Sequence, residues 1–295
     1  MSMLKVSPAP LRCPCDGRHF TRVFTYTAPP VGEVRFNFSA GGGYHREVWR
    51  CEICHHFVSV HQMDMSGLYR QDYVSSTYGD ADGLRRTFER LTALPPDKSD
   101  NLGRVKRILE FAAGHLPGPA QEKRAPTVLD VGSGLCVFLH RLKEAGWEGT
   151  ALDNDPRLVQ HAGEVVGVKA VLGDFMELAD LGQFDLVTFN KVLEHVADPV
   201  TMLAKSARHL RPGGLVYVEV PDGEAAAQEG PEREEFFIEH HHIFSPASLT
   251  LLAGRAGLGV EFLERLREPS TKYTLRAFLR PARDRGSDFT RRTEL

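Results

Sequence analysis

Residues 127–155 read TVLDVGSGLCVFLHRLKEAGWEGTALDND, and the fold is decided within this stretch. Thr127-Val128-Leu129-Asp130-Val131 is a short apolar, β-branched run and predicts a strand. Cys136 to Gly146 follows with a helical pattern that stops on a glycine, and Gly149-Thr150-Ala151-Leu152-Asp153 predicts a second strand. Strand, helix and strand in so short a span imply a parallel pair joined by a right-handed crossover. Between the first strand and the helix stand Gly132 and Gly134. Two glycines let the backbone turn sharply and approach a ligand that a Cβ would push away. The free amides of the helix that starts there favour an anionic or polar group.

The same alternation extends in both directions. Upstream, Ser99 or Asp100 is a candidate N-cap, Leu102, Val105, Ile108, Leu109 and Ala112 share one helical face, and Gly114 with Pro117 can end that helix. Downstream, Asp155-Pro156, Asp198-Pro199 and Ser245-Pro246 each place a capping side chain before a proline, which gives up only an amide that would be unpaired in the first turn. The strand candidates are VKAVLG, FDLVTF and GLVYVEV, followed by GVEFLER and KYTLRAFL, which lack room for a helix between them and are expected to pair antiparallel. The expected fold is α/β: an open, mostly parallel Rossmann-like sheet with helices on both faces and an antiparallel closing strand. A small N-terminal β module over residues 1–80, a linker over 81–100 containing Pro95 and Pro96, the main domain over 101–280 and a solvated tail over 281–295 complete the division.

In such sheets ligands sit beyond the carboxyl ends of the strands, where strand order reverses. Polar residues stand at four successive strand ends: Asp130 with Gly132 and Gly134, then Asp153-Asn154, then Asp174 with Phe175, then Asn190. Asp153 lies at the distance from the glycine loop expected of a carboxylate that binds ribose hydroxyls. Capping of the helix opened at Asp155 is the alternative for Asp153 and Asn154.

VLDVGSGLC, ALDNDP, GDF, FDLVTFNKVLEHVADP and LRPGGLVYVEVP together resemble the ordered motifs of class I SAM-dependent methyltransferases over about residues 101–280. A dinucleotide fingerprint would need a third glycine where Val137 stands. The resemblance implies a seven-stranded methyltransferase sheet and S-adenosylmethionine as cofactor. It places Asp130, Gly132 and Gly134 around the methionine part, Asp153 and Asn154 at the ribose, Asp174 and Phe175 at the adenine, and Asn190 near the methionine end. Cys136 reads as a small packed hydrophobe. Glu239-His240-His241-His242 opens an EHxxxFS segment that resembles one in deoxysugar C-methyltransferases, which makes His240 the candidate base; packing at the mouth of the Ser245-capped helix, or ligation of an adventitious metal by two of the histidines, is the alternative. His195 is a further pocket candidate, with a helix-start or structural histidine as the alternative. The tetrad typical of amino-group methylation of bases is absent after Asn190.

Four of the five cysteines form two close pairs, Cys13 with Cys15 and Cys51 with Cys54, a pattern that predicts zinc ligation. Cys13-Pro14-Cys15 is one residue shorter than the usual knuckle, so His19, His45, His55 or His56 is a possible substitute ligand. The layout resembles the zinc-ribbon-like segment of methyltransferases in sugar and glycan pathways, including Leu68-Tyr69 and Tyr73. Tyr69, Tyr73 and Tyr78 either reach over the pocket or pack against the main domain. A hydrophobic fraction of 42%, a charged fraction of 25% and a formal net charge of -3 fit a globular protein without the basic excess of nucleic-acid binders. No segment approaches the length of an apolar membrane span, so a cytoplasmic protein is expected. The function expected is methyl transfer to an oxygen or carbon of a small polar metabolite, such as a nucleotide-linked sugar or glycan precursor. The rival readings are a zinc-ribbon RNA methyltransferase or SAM-binding nucleic-acid-associated protein, which predicts that Arg12, Arg18, Arg22, Arg35, Arg46 and Arg50 cluster on one face, and a scaffold without turnover.

Overall fold

The computed structural model describes residues 13–33, 43–63, 79–116 and 121–282. Three antiparallel strands come first, β1 (Phe20–Tyr26), β2 (Arg46–Cys51) and β3 (Phe57–His61), followed by α1 (Ala81–Thr92) and α2 (Asp100–His115). The chain then alternates through β4 (Thr127–Val131), α3 (Val137–Glu144), β5 (Glu148–Asp153), α4 (Pro156–His161), β6 (Lys169–Leu172), β7 (Phe184–Asn190), α5 (Pro199–Ser206) and β8 (Leu210–Pro221). It closes with α6 (Gly223–Glu229), β9 (His242–Ile243), α7 (Pro246–Arg255), β10 (Leu258–Arg267) and β11 (Tyr273–Pro281). Helix starts are set locally. Ser99, Asp155, Asp198 and Ser245 each accept an amide of the first turn, and proline opens the last three of these helices.

The larger sheet has seven strands in the order β10-β11-β8-β7-β4-β5-β6. All neighbours run parallel except β11, which is antiparallel to both β8 and β10; the closing strand is therefore inserted inside the sheet rather than at its edge. Because β4 has β5 on one side and β7 on the other, strand order reverses at its carboxyl end. Side chains alternate across the sheet. Val128 enters the apolar cluster shared with α1, α2 and α3, whereas Leu129 and Val131 enter the one shared with α5 and α7. Among the described residues, no helix is long and apolar enough to cross a membrane.

The expected linker over 81–100 holds a regular helix. In α1, Leu84 and Phe88 fall on one face and are buried, with the Phe88 ring edge-on to both His140 and His161. An i, i+4 apolar pair of this kind docks a helix in a core whatever its other residues are. Pro95 and Pro96 act only after the helix has ended.

The small sheet is completed from the far half of the chain. Its order is β1-β2-β3-β9, with Phe57 opposite Ile243 and Val58 opposite His242. Beside this junction Arg46 is fully buried: its guanidinium donates to the Tyr44 hydroxyl, to the Phe236 carbonyl and to Glu33, and lies 4.0 Å from the Tyr26 ring centroid. Glu33 in turn accepts the Ile238 amide at 2.7 Å. Residues 64–78, which include Tyr69, Tyr73 and Tyr78, and the tail from residue 283 lie outside the described residues.

Phe88→Ala is expected to lower the stability of the whole larger domain by about 3 kcal/mol, read as a lower midpoint of a single thermal transition by circular dichroism; an unchanged midpoint would make α1 a mere connector.

Candidate functional site

The glycine loop hangs on the end of the neighbouring strand. The amides of Gly132 and Ser133 both donate to the Leu152 carbonyl, at 2.8 and 3.2 Å. Gly132 has φ +68, and a Cβ there would stand 2.9 Å from Val192 Cγ2. Gly134 has φ +52, and a Cβ on it would meet nothing within 4 Å, so the loop presents bare backbone to open space. Cys136 begins α3 beneath this loop; burial pushes its thiol up to about 12, which leaves it a neutral packed group.

Asp153 explains the pose of the loop. One of its oxygens accepts the Gly134 amide and the other the Asp155 amide, each at 3.0 Å, so each retains a further lone pair for a ligand hydroxyl. Burial raises its pKa. Asp130 is 2% exposed and accepts from Thr188 Oγ1 at 2.6 Å and from Asn190 Nδ2 at 2.7 Å. Burial lifts its pKa to about 6 against these two donors. The remaining polar atom of Asn190, Oδ1, is buried without a hydrogen-bond partner among the described residues. Asp174 is exposed, with Oδ1 taking the Met176 amide at 2.7 Å. Phe175 is 3% exposed and packs edge-on against Phe189 while also bordering the cavity.

All eight residues expected at the cofactor, Asp130, Gly132, Gly134, Asp153, Asn154, Asp174, Phe175 and Asn190, line one cavity of about 620 Å³. The same cavity is bordered by groups that the strand-end pattern does not reveal, among them Lys191, His195, Glu239 and Lys272. Lys191 has φ +59, rare for a side chain of this size, and donates to Thr274 Oγ1 at 2.8 Å. Its backbone is held where it is because the carboxylate of Glu219 is 3.9 Å from its amine and the Glu219 carbonyl accepts its amide.

His240 is not among the cavity-lining residues; His195 is, and the His240 ring packs edge-on behind it, with centroids 4.9 Å apart. His195 Nδ1 donates to the Glu239 carbonyl at 2.9 Å, and His240 Nδ1 to the Glu235 carbonyl at 2.8 Å. Burial lowers the pKa of both rings, so both are neutral near pH 7. Glu194, beside His195, is fully buried, and burial lifts its carboxyl to about 7. The signal for Glu194 and His195 is an acid-imidazole pair inside the apolar LEHV; nothing in that stretch shows that His240 comes to meet it.

The four cysteines of the N-terminal module do come together. Their sulfurs lie within 4.8 Å of one another, with Cys13 2.9 Å from Cys54, 3.2 Å from Cys15, and Cys15 3.5 Å from Cys51. None of the candidate histidines joins them: His55 pairs with Glu224, and His56 is buried against His242. Four clustered thiols are the soft donor set that suits zinc. The shortened first pair is accommodated because Gly17, where a Cβ would reach Cys15 Sγ at 2.9 Å, lets the chain fold over it. Of the arginines expected to cluster, Arg46 is buried on Glu33 and Arg22 pairs with Glu47 at 2.6 Å, whereas Arg12 and Arg35 lie outside the described residues.

Comparison with known proteins agrees with this geometry. The family described as "Methyltransferase domain" matches residues 85–261, more than half of the chain. A ubiquinone biosynthesis O-methyltransferase of Xanthomonas axonopodis pv. citri is 28% identical over 204 residues, which is 64% of this chain and 78% of that protein. Among solved structures, the magnesium protoporphyrin IX methyltransferase of Synechocystis PCC 6803 with bound SAH superposes with a TM-score of 0.52 at 16% identity, covering 73% of this chain and 99% of that one. The 1,6-didemethyltoxoflavin-N1-methyltransferase of Burkholderia thailandensis gives 0.51 at 21% identity, over 80% and 96%.

Gly132→Ala combines a left-handed φ with a clash on Val192 and is expected to cost about 2 kcal/mol of stability or more. Gly134→Ala, with strain but no clash, is expected to cost less, about 1 kcal/mol. Chemical denaturation of the two variants side by side checks the order; equal effects would mean that Val192 does not confine the loop.

Proposed function

The chain belongs to the methyltransferase-domain family and is a class I SAM-dependent methyltransferase, and we propose that it methylates an oxygen or carbon of a small polar acceptor. The observation that carries this reading is the meeting of eight strand-end residues on one cavity, with Asp153 tying the glycine loop to the second strand. S-adenosylmethionine supplies an activated methyl group when bound. In our assignment Asp153 takes the two ribose hydroxyls on its free lone pairs, Asp174 accepts from the adenine amino group, and Gly132 and Gly134 give the methionine part close approach to the backbone. Asp130 and Asn190 form the polar floor beneath the methionine end, where the unpartnered Asn190 Oδ1 is an acceptor still to be satisfied.

What remains for the protein is to align the acceptor and to ease the loss of its proton. We assign that help to His240 with His195. Each ring spends its Nδ1 proton on a backbone carbonyl, which leaves the lone pair of Nε2 available. An oxygen acceptor accords with the O-methyltransferase named among the relatives. A nucleotide-linked sugar or glycan precursor accords with the cysteine module and the EHxxxFS segment. Cys13, Cys15, Cys51 and Cys54 are assigned to one structural zinc ion.

Calorimetry is expected to show one S-adenosylmethionine bound per chain. An ammonium group above Asp130 favours its ionised form, so affinity is expected to be constant above about pH 6, where the carboxylate is already charged. Below that it should fall by up to about tenfold per pH unit, as binding must first expel a proton. Asp130→Asn should bind more weakly at pH 8 and lose the pH dependence. Absence of any cofactor binding would sink the cavity assignment. For the acceptor side, His240→Ala is expected to keep cofactor affinity while turnover falls by about 10²-fold or more; unchanged turnover removes His240 from the reaction.

A further inference from the structure

Glu194 and His195 are adjacent in the turn after β7, and His240 reaches them from the segment before β9. One donor atom of each lies within 4.8 Å of the other two. A carbonyl oxygen only accepts, so the Nδ1 atoms of His195 and His240, bonded to Glu239 O and Glu235 O, carry the ring protons, and each Nε2 holds a lone pair. Glu194 is fully buried, and neither of its oxygens has a hydrogen-bond partner among the described residues. Lys191, whose charge acts on Glu194, is itself occupied by Thr274 at 2.8 Å and by Glu219 at 3.9 Å. In its charged form Glu194, beside two imidazole lone pairs and with neither oxygen hydrogen-bonded among the described residues, is costly to bury unless a positive charge joins it.

We propose that Glu194, His195 and His240 bind a divalent metal cation in the wall of the cavity, separate from the cysteine cluster. Two imidazoles and one carboxylate form a nitrogen and oxygen donor set that suits manganese, iron or zinc and leaves coordination positions open. Anchoring each ring through its Nδ1 proton to a backbone carbonyl is the device that fixes metal-ligating histidines. The two halves of the site are also locked by main chain, since the His241 amide donates to the Glu194 carbonyl at 2.8 Å.

This inference rests on the methyl transfer proposed above and gives the His240 lone pair its task. Of the three ligands His195 borders the cavity, and in this proposal the open positions reach the acceptor from its side. A cation there selects acceptors with two adjacent oxygens and lowers the cost of removing a proton from one of them. That proton passes to solvent, the oxygen bonds to the methyl carbon, and the carbon–sulfur bond breaks with its electron pair left on sulfur.

Manganese distinguishes the two metal sites, because it prefers oxygen and nitrogen to thiolate. Titration of the full chain with Mn²⁺, followed by the loss of the free-ion paramagnetic resonance signal, is expected to show one saturable site. Glu194→Gln, which keeps size and shape, and His240→Gln are each expected to weaken Mn²⁺ by about 100-fold or more, with thermal midpoint and S-adenosylmethionine affinity retained. No saturable Mn²⁺ in the wild type, or binding that survives both substitutions, overturns the site. Cofactor calorimetry on the same samples separates this outcome from failure of the methyltransferase reading, which would show as loss of S-adenosylmethionine binding in the wild type.

Discussion

Glu219 stands fully buried near the carboxyl end of β8, where it accepts from Arg104 on α2, Arg276 on β11 and the Tyr217 hydroxyl. Arg276 is held on its other side by Glu268 at 2.6 Å. The paired cations hold the Glu219 carboxyl far below the usual carboxylate range, against the opposing effect of burial. Removing one partner from such a network leaves uncompensated charge inside the protein, at a cost of about 3–5 kcal/mol. Four elements therefore share one arrangement: α2, β8, β11 and the turn after β7 that carries Lys191. The floor and one wall of the cavity follow from it, because Arg104, Lys191 and Asn190 all border the same space.

A second constraint acts from the other side. The N-terminal module supplies three strands but borrows its fourth from residues 242–243, and Arg46 with Glu33 binds the carbonyl of Phe236 and the amide of Ile238. The segment that carries Glu239 and His240 is thus held at both ends by residues from the beginning of the chain. The cysteine cluster sits at the turn of the same β2–β3 hairpin, and the Ser245 hydroxyl at the start of α7 donates to the Cys54 carbonyl. A module too small to build a large core of its own packs its four cysteines together and places a loop of the catalytic domain; the zinc ion proposed for them would add rigidity to it.

The larger sheet was legible in the sequence because its signals are local. Short apolar runs bounded by Asp155-Pro156, Asp198-Pro199 and Ser245-Pro246 announce strands and helix starts without reference to anything distant. Asp130, Asp153 and Asn190 were legible for the same reason: a polar residue at the end of a buried run has few purposes other than a ligand or a cap. Phe175 was legible only as a neighbour of the site, because an aromatic beside an aspartate reads equally as a ligand cover or as core, and its contact with Phe189 has no local signal. The helix at 81–92 was only weakly legible, because Leu84, Phe88 and Leu91 are its few large apolar residues amid charged ones and Pro95 and Pro96 follow directly. The pairing of β9 and the encounter of His240 with Glu194 were beyond reach, since a two-residue strand lies below any periodic window and the contact joins positions far apart in the chain.

That borrowed strand also sets an order of events during synthesis. Phe57 leaves the ribosome long before Ile243, its neighbour across the sheet, so the first-made module must wait with an uncovered edge while most of the methyltransferase domain is translated. Such an edge is open to pairing with another chain until its own partner arrives. Early metal capture by the cysteines would keep the hairpin in register through that interval, so metal supply during translation would govern the yield of correctly assembled protein.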